Sequence, residues 1–198
     1  WTLCPIGNYT SVRSLMVDES TSRIYAGGSE EFGYYHNDPD RGCFVYKSLM
    51  PTLPKRNRHF TEVWNIHKSG KYIWFQSDFN LLRFDGSKSI SIPYKYKITT
   101  SALIRGWLYI ASKEGGICQL NGKTFTSVPG GEHVKGMRVC ALLPYQKGNI
   151  LIVTEFCGVF IFDGATVRPF EMDIDPFLKA NQVFCAATNE RELVFGTV

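Results

Sequence analysis

The chain has 198 residues, 44% of them hydrophobic and 20% charged, which supplies a sizeable core and excludes a chain disordered by composition. Its net charge of +4 is weaker than the concentrated basic bias of a nucleic-acid binder, so no nucleic-acid partner is expected for this region. An aromatic share of 14% and 18 glycines favour many short strands joined by tight turns over helices.

The chain begins at Trp1 rather than Met, and no secretory leader follows. "WTLCPIGNY" reads as the outermost strand of a unit whose other strands would precede it. From there a pattern repeats. Short β-branched and aromatic runs stand at 24 ("IYAGG"), 73 ("IWFQS"), 108 ("LYIAS"), 150 ("ILIVT") and 193 ("LVFGT"). Their mean spacing of about 42 residues lies in the range of propeller blades. A further strand precedes each run: "VRSLMV", "TEVWNI", "TSALI", "RVCALL" and "VFCAA". Three runs are followed by "LLRFDG", "CQLNGK" and "FIFDGA", and then by "SISIP", "TFTSVP" and "TVRPF". Asp85-Gly86, Asn121-Gly122 and Asp163-Gly164 are strong hairpin signals, for which we expect two-residue type I′ turns with positive φ at both residues. Helical periodicity is nearly absent, although "DPFLKANQ" is expected to form one turn.

Each unit therefore reads as four antiparallel strands, a to d, and units of this kind must stack to bury both faces. The expected fold is all-β: one partial β-propeller domain over residues 1–198, an incomplete ring of about four to five blades. A β-sandwich or barrel also spaces strands at short intervals, but neither requires self-similarity at a long fixed period. The uncovered blade faces of an incomplete ring would be apolar and favour a homodimer.

The segments "VRSLMVDESTSRIYAGGSEEFGYY" and "FTEVWNIHKSGKYIWFQSDFNLLRFDG" resemble successive blades of bacterial two-component-regulator-propeller sensors, and the resemblance covers essentially the whole chain. "EFGYY" at 31–35 is its most specific part. The resemblance implies a periplasmic propeller, followed elsewhere by a small β-sandwich with a triple-tyrosine motif, a transmembrane helix and a cytoplasmic output. That output would be a histidine kinase or a LuxR-type helix-turn-helix. Carbohydrate-responsive signalling is the implied role. A carbohydrate-active or lectin-like propeller and a purely structural dimerisation propeller are the alternatives.

No motif with a catalytic mechanism occurs, so no enzymatic activity is expected of this region. The histidines at 36, 59, 67 and 133 are dispersed, and no metal site or cofactor is expected. "NDPDRG" at 37–42 reads as a Pro/Asp/Gly turn rather than a calcium loop. Six cysteines, at 4, 43, 118, 140, 157 and 185, form no C-x-x-C pair. Most stand in apolar runs and read as reduced, structural thiols, with one or two disulfides open to an exported domain.

Charge sorts by loop type. In a propeller the d–a and b–c loops share one end. The d–a connectors are basic: Lys55, Arg56 and Arg58, then Lys95 and Lys97, then Lys135 and Arg138. Three b–c loops set an acid beside an aromatic: Glu31-Phe32, Asp78-Phe79 and Glu155-Phe156. These loops either pair with one another across the rim or form a surface for an oligosaccharide or another polar, anionic ligand. In the second reading Phe32, Phe79 and Phe156 stack on sugar rings, while Arg56, Arg58, Lys95 and Lys97 hold oxyanions.

Overall fold

The computed structural model describes residues 3–189 and 192–198; Trp1 and Thr2, the start of the expected first strand, lie outside them. The chain divides into two compact units, one ending at Lys95 and the other beginning at Tyr96.

The first unit holds two four-stranded antiparallel meanders. One runs β1 (Val12–Asp18), β2 (Arg23–Gly28), β3 (Glu31–Asp38), β4 (Cys43–Ser48). The other runs β5 (Val63–Ser69), β6 (Tyr72–Ser77), β7 (Asn80–Phe84), β8 (Ser89–Pro93). In both, the central strands are buried on both faces, so their sequences are continuous apolar runs. Tyr25, Phe32, Tyr34, Phe60, Val63 and Phe75 fill the space between the two sheets. The Phe32 and Phe75 rings meet edge to face, 4.8 Å between centroids.

In the second unit, β9 (Ile98–Ile104) to β12 (Thr124–Ser127) form one four-stranded sheet, with β10 (Trp107–Ser112) and β11 (Gly116–Asn121) at its centre. A second sheet comprises β13 (Val139–Pro144), β14 (Ile150–Thr154), β15 (Val159–Phe162) and β16 (Val167–Pro169). A short helix, α1 (Asp175–Ala180), occupies the expected "DPFLKANQ" position and leads to a final pair, β17 (Val183–Thr188) and β18 (Leu193–Thr197). Two apolar layers fill this unit, one centred on Ala111, Val139 and Ile152, the other on Leu151, Val159 and Val183.

The architecture is the expected one: four four-stranded units and the first two strands of a fifth. Two local expectations fail. The first concerns the described part of "WTLCPIGNY", which forms no sheet strand. It crosses the face of the first sheet instead, where Ile6 is buried against Ala26 and Tyr35, and the Cys4 carbonyl accepts from the Tyr35 hydroxyl at 2.9 Å. Pro5, lacking an N–H, suits this path better than a ladder.

The second concerns the hairpins. Gly86, Gly122 and Gly164 have φ of +100°, +62° and +95°, but Asp85, Asn121 and Asp163 do not share the positive φ. The acid instead opens the turn. Asp85 Oδ1 accepts from the Ser87 and Lys88 amides at 2.9 and 2.8 Å, and Asp163 Oδ1 accepts from Ala165 and Thr166 at 2.9 and 3.0 Å. Those amides, led by that of Lys88, hold the Asp85 carboxyl down at about 2. Two adjacent positive-φ residues do close the β9–β10 hairpin, at Arg105 (+52°) and Gly106 (+81°). Asp38, by contrast, caps the expected "NDPDRG" turn, accepting from the Asp40 amide at 3.0 Å.

Candidate functional site

Every first strand carries a β-bulge at its second residue. Val12 pairs with Gly28 and Ser14 with Gly27, leaving Arg13 as the extra residue. The same shift leaves Trp64, Thr99, Cys140 and Phe184 extra in β5, β9, β13 and β17. The residue before each bulge is always Val or Ile, and Val63, Ile98, Val139 and Val183 are fully buried. The bulged residue itself is chemically different in each sheet. A bulge re-aims a side chain without disturbing the ladder beyond it.

Within each unit the bulges share their end with the b–c loops. In the first unit, the Glu30 amide donates to the Thr61 carbonyl at 3.2 Å. In the second, Gly136 donates to the Lys113 carbonyl at 2.7 Å, and Val183 to that of Glu155 at 2.9 Å. Three b–c loops, at Glu30, Lys113 and Glu155, are thereby clasped to the start of the next sheet of their unit.

In the first unit this end presents Trp64, 42% exposed, whose indole N–H donates to Asp78 Oδ1 at 2.9 Å. Asp78 is buried, while its neighbour Phe79 is 45% exposed. The Arg13 guanidinium lies 5.8 Å from the Trp64 ring centre, and its Nε donates to Glu62 Oε2 at 3.2 Å. In the second unit, Arg138 Nη1 and Gln182 Nε2 donate to Glu155 Oε1 at 2.9 and 2.5 Å. The Gln182 bond, with that of Arg138, holds the Glu155 carboxyl below its ordinary value against the opposing effect of burial. Phe156 beside it is half exposed.

The sequence-selected residues divide accordingly. Phe79 and Phe156 are exposed as expected, and so are Arg56, Lys95 and Lys97. Phe32 is not: it lies in β3, wholly buried and edge-on to Phe60 and Phe75, so no sugar can reach its ring. Glu31 is also a buried strand residue rather than a loop residue. Its Oε1 accepts from the Phe32 amide, the Ser48 hydroxyl and the Tyr46 hydroxyl at 2.9, 2.7 and 3.2 Å. Burial, reinforced by that carboxylate, pushes the Tyr46 hydroxyl well above its ordinary range.

Gly33 makes this arrangement fit, because a Cβ there would stand 2.3 Å from the Lys47 carbonyl oxygen and 2.5 Å from the Tyr46 hydroxyl. "EFGYY" is thus a packing motif. Arg58 turns inward as well, donating to the Leu53 and Pro51 carbonyls at 3.0 and 3.1 Å. Arg13 and Trp64 were not legible as site residues, since a one-residue bulge leaves no mark on a strand's sequence.

Among the described residues, no two of the six cysteines are joined in a disulfide. Cys118 is buried, but Cys185 is exposed on the uncovered face of the last sheet, contrary to its apolar sequence setting. Cys140 is half-buried, donates to the Val183 carbonyl at 3.0 Å, and is pushed up to about 11 by burial. Among the described residues no group of His, Cys, Asp and Glu is placed to hold a metal ion, and no helix is long and apolar enough to cross a membrane.

These blades with clasped b–c loops define the chain as β-propeller in fold. Among solved structures it is similar to the extracellular domain of BT4673 from B. thetaiotaomicron, a one-component or hybrid two-component system. The TM-score is 0.70 and the identity 18%, over 96% of this chain and 26% of that one. The extracellular domain of the hybrid two-component system BT3049 from B. thetaiotaomicron matches at TM-score 0.65 and 13% identity, over 94% of this chain and 25% of that one. The WD40 propeller domain of Doa1 matches at TM-score 0.55 and 10% identity, over 94% of this chain and 75% of that one. The chain thus spans about a quarter of the length of these two extracellular domains. No family model and no curated protein matches the sequence.

Proposed function

We propose that this chain is part of the periplasmic, ligand-recognising propeller of a bacterial transmembrane regulator, and that it responds to carbohydrate without chemistry of its own. The likeness to the BT4673 extracellular domain over 96% of the chain carries this reading. The chemistry of the b–c end of each unit supports it: the first exposes the Phe79 ring beside a carboxylate with the cations Arg56 and Lys95, and the second exposes the Phe156 ring beside Glu155 with the cation Lys97. The signal would pass to a kinase or helix-turn-helix output carried elsewhere in a longer protein.

The test is calorimetric titration of the chain with neutral and uronic-acid hexasaccharides at two salt concentrations, with chromatography of each mixture afterwards. Binding without cleavage supports the sensor. Cleaved products would move the chain to the carbohydrate-active class, and absence of binding to every sugar would defeat the carbohydrate reading. A second copy of the chain is the protein partner we propose, because Leu15 and Val17 leave an apolar stripe on β1, 62% and 64% exposed.

A further inference from the structure

We propose that Trp64 is the stacking platform for a sugar ring, with Arg13 and Glu62 as hydrogen-bonding groups at its rim and Asp78 as the residue that fixes its angle. The inference rests on the carbohydrate reading above and deepens it.

Trp64 occupies the bulge of β5, the one position in the strand that the ladder does not assign to a face. A tryptophan placed for packing would be buried, as Trp74 is at 8% exposure, yet Trp64 is 42% exposed. Its indole N–H is nonetheless anchored, at 2.9 Å, to a carboxylate that is itself buried. Burying Asp78 costs free energy, and the return is a side chain held at one angle with much of its surface in water. Such preorganisation serves binding more than stability. Arg13, the bulge residue of β1, comes to the same ring and pairs with Glu62 at 3.2 Å.

This combination selects the ligand class. A protein-binding hot spot sets its aromatic anchor in a desolvated, apolar surround. Here the indole is bordered by an exposed ion pair. A pyranose ring matches that pattern, with an apolar C–H face for the indole and a rim of hydroxyls for the Arg13 guanidinium and the Glu62 carboxylate. Phe79, exposed and adjacent to Asp78, offers a second ring.

The test uses the 198-residue chain with xylohexaose, cellohexaose and a galacturonate hexamer as probes. Trp64→Ala should weaken binding of the recognised probe by about tenfold or more, as loss of an aromatic contact predicts. Trp64→Phe should restore part of it, and Asp78→Ala, which removes the acceptor of the indole N–H but keeps the ring, should weaken binding as well. Circular dichroism and melting temperature check that each variant is folded, which an exposed site permits. Binding by wild type that survives Trp64→Ala unchanged overturns the platform and leaves the carbohydrate reading standing. Binding of no probe by wild type overturns both.

Discussion

Asp18 ends β1 as a buried carboxylate, 4% exposed, and replacing it with Asn tests how the first two sheets are tied together. Its oxygens accept from the Ser20 amide at 3.1 Å, the Ser20 hydroxyl at 2.7 Å and the Thr21 hydroxyl at 2.8 Å. Lys68 of β5 supplies the opposite charge from the neighbouring sheet. Burial opposes ionisation, but these donors overcome it and hold the carboxyl far below the usual carboxylate range.

Asn retains one acceptor for Ser20 and loses the charge. Unpairing a fully buried ion costs about 3–5 kcal/mol, whereas one hydrogen bond to a charged group is worth about 1.5–3 kcal/mol. The Lys68 side chain is 32% exposed and can rehydrate, so the lower figure governs. We expect a loss of about 2–3 kcal/mol, or on the order of 5–10 °C in melting temperature for a chain of this length.

The pH dependence has a definite sign. A depressed folded-state pKa contributes stability that is complete above the unfolded value, about 3.9, and is lost as pH falls from there through the folded value. The gap between wild type and Asp18→Asn, followed by circular dichroism melts, should therefore narrow steadily below about pH 4. Lys68→Met should reproduce most of the loss, and the double variant should add little to either single one. A melting temperature for Asp18→Asn within a degree of wild type at neutral pH would refute the tie. So would a gap that stays constant down to about pH 2.

Gly33→Ala should destabilise the first sheet by at least the ~1–3 kcal/mol typical of overpacking, since the added carbon meets backbone, and chemical denaturation would read it. Arg58→Ala should lower the melting temperature by removing two bonds to the connector carbonyls, whereas Arg56→Ala should leave it unchanged within about 0.5 kcal/mol. Leu15→Lys combined with Val17→Lys should shift light scattering towards monomer at high protein concentration, and an unchanged oligomer would place the contact elsewhere. Gly164→Ala should cost about 1 kcal/mol, because φ of +95° is strained for any residue with a Cβ.

The second strands of the four complete sheets were legible because each lies at its sheet's centre. Burial on both faces forces an unbroken apolar run, and "IWFQS" or "ILIVT" admits little else. That same double burial concealed Phe32. In "EFGYY" all five residues are buried, so no alternation marks where the loop ends and β3 begins. The Asp-Gly pairs gave the right hairpins with the wrong turn, since the dipeptide alone does not reveal whether Asp sits inside the turn or caps it from the preceding position. Arg58 failed differently. Its charge announces a surface residue, but a guanidinium fork satisfies two backbone carbonyls as readily as it would a ligand.

The recurring bulge separates what the frame needs from what the surface displays. In a regular strand, exchanging one residue for another of opposite polarity conflicts with the face it occupies. The bulged residue escapes that constraint, because its neighbours keep their partners whatever side chain it bears. Positions 13, 64 and 184 are therefore editable one at a time, each on its own sheet, and at 64 and 184 the core is anchored next door by Val63 and Val183. A scaffold of this kind acquires new preferences by rewriting single letters at a fixed interval, with no loop to lengthen and no layer to repack.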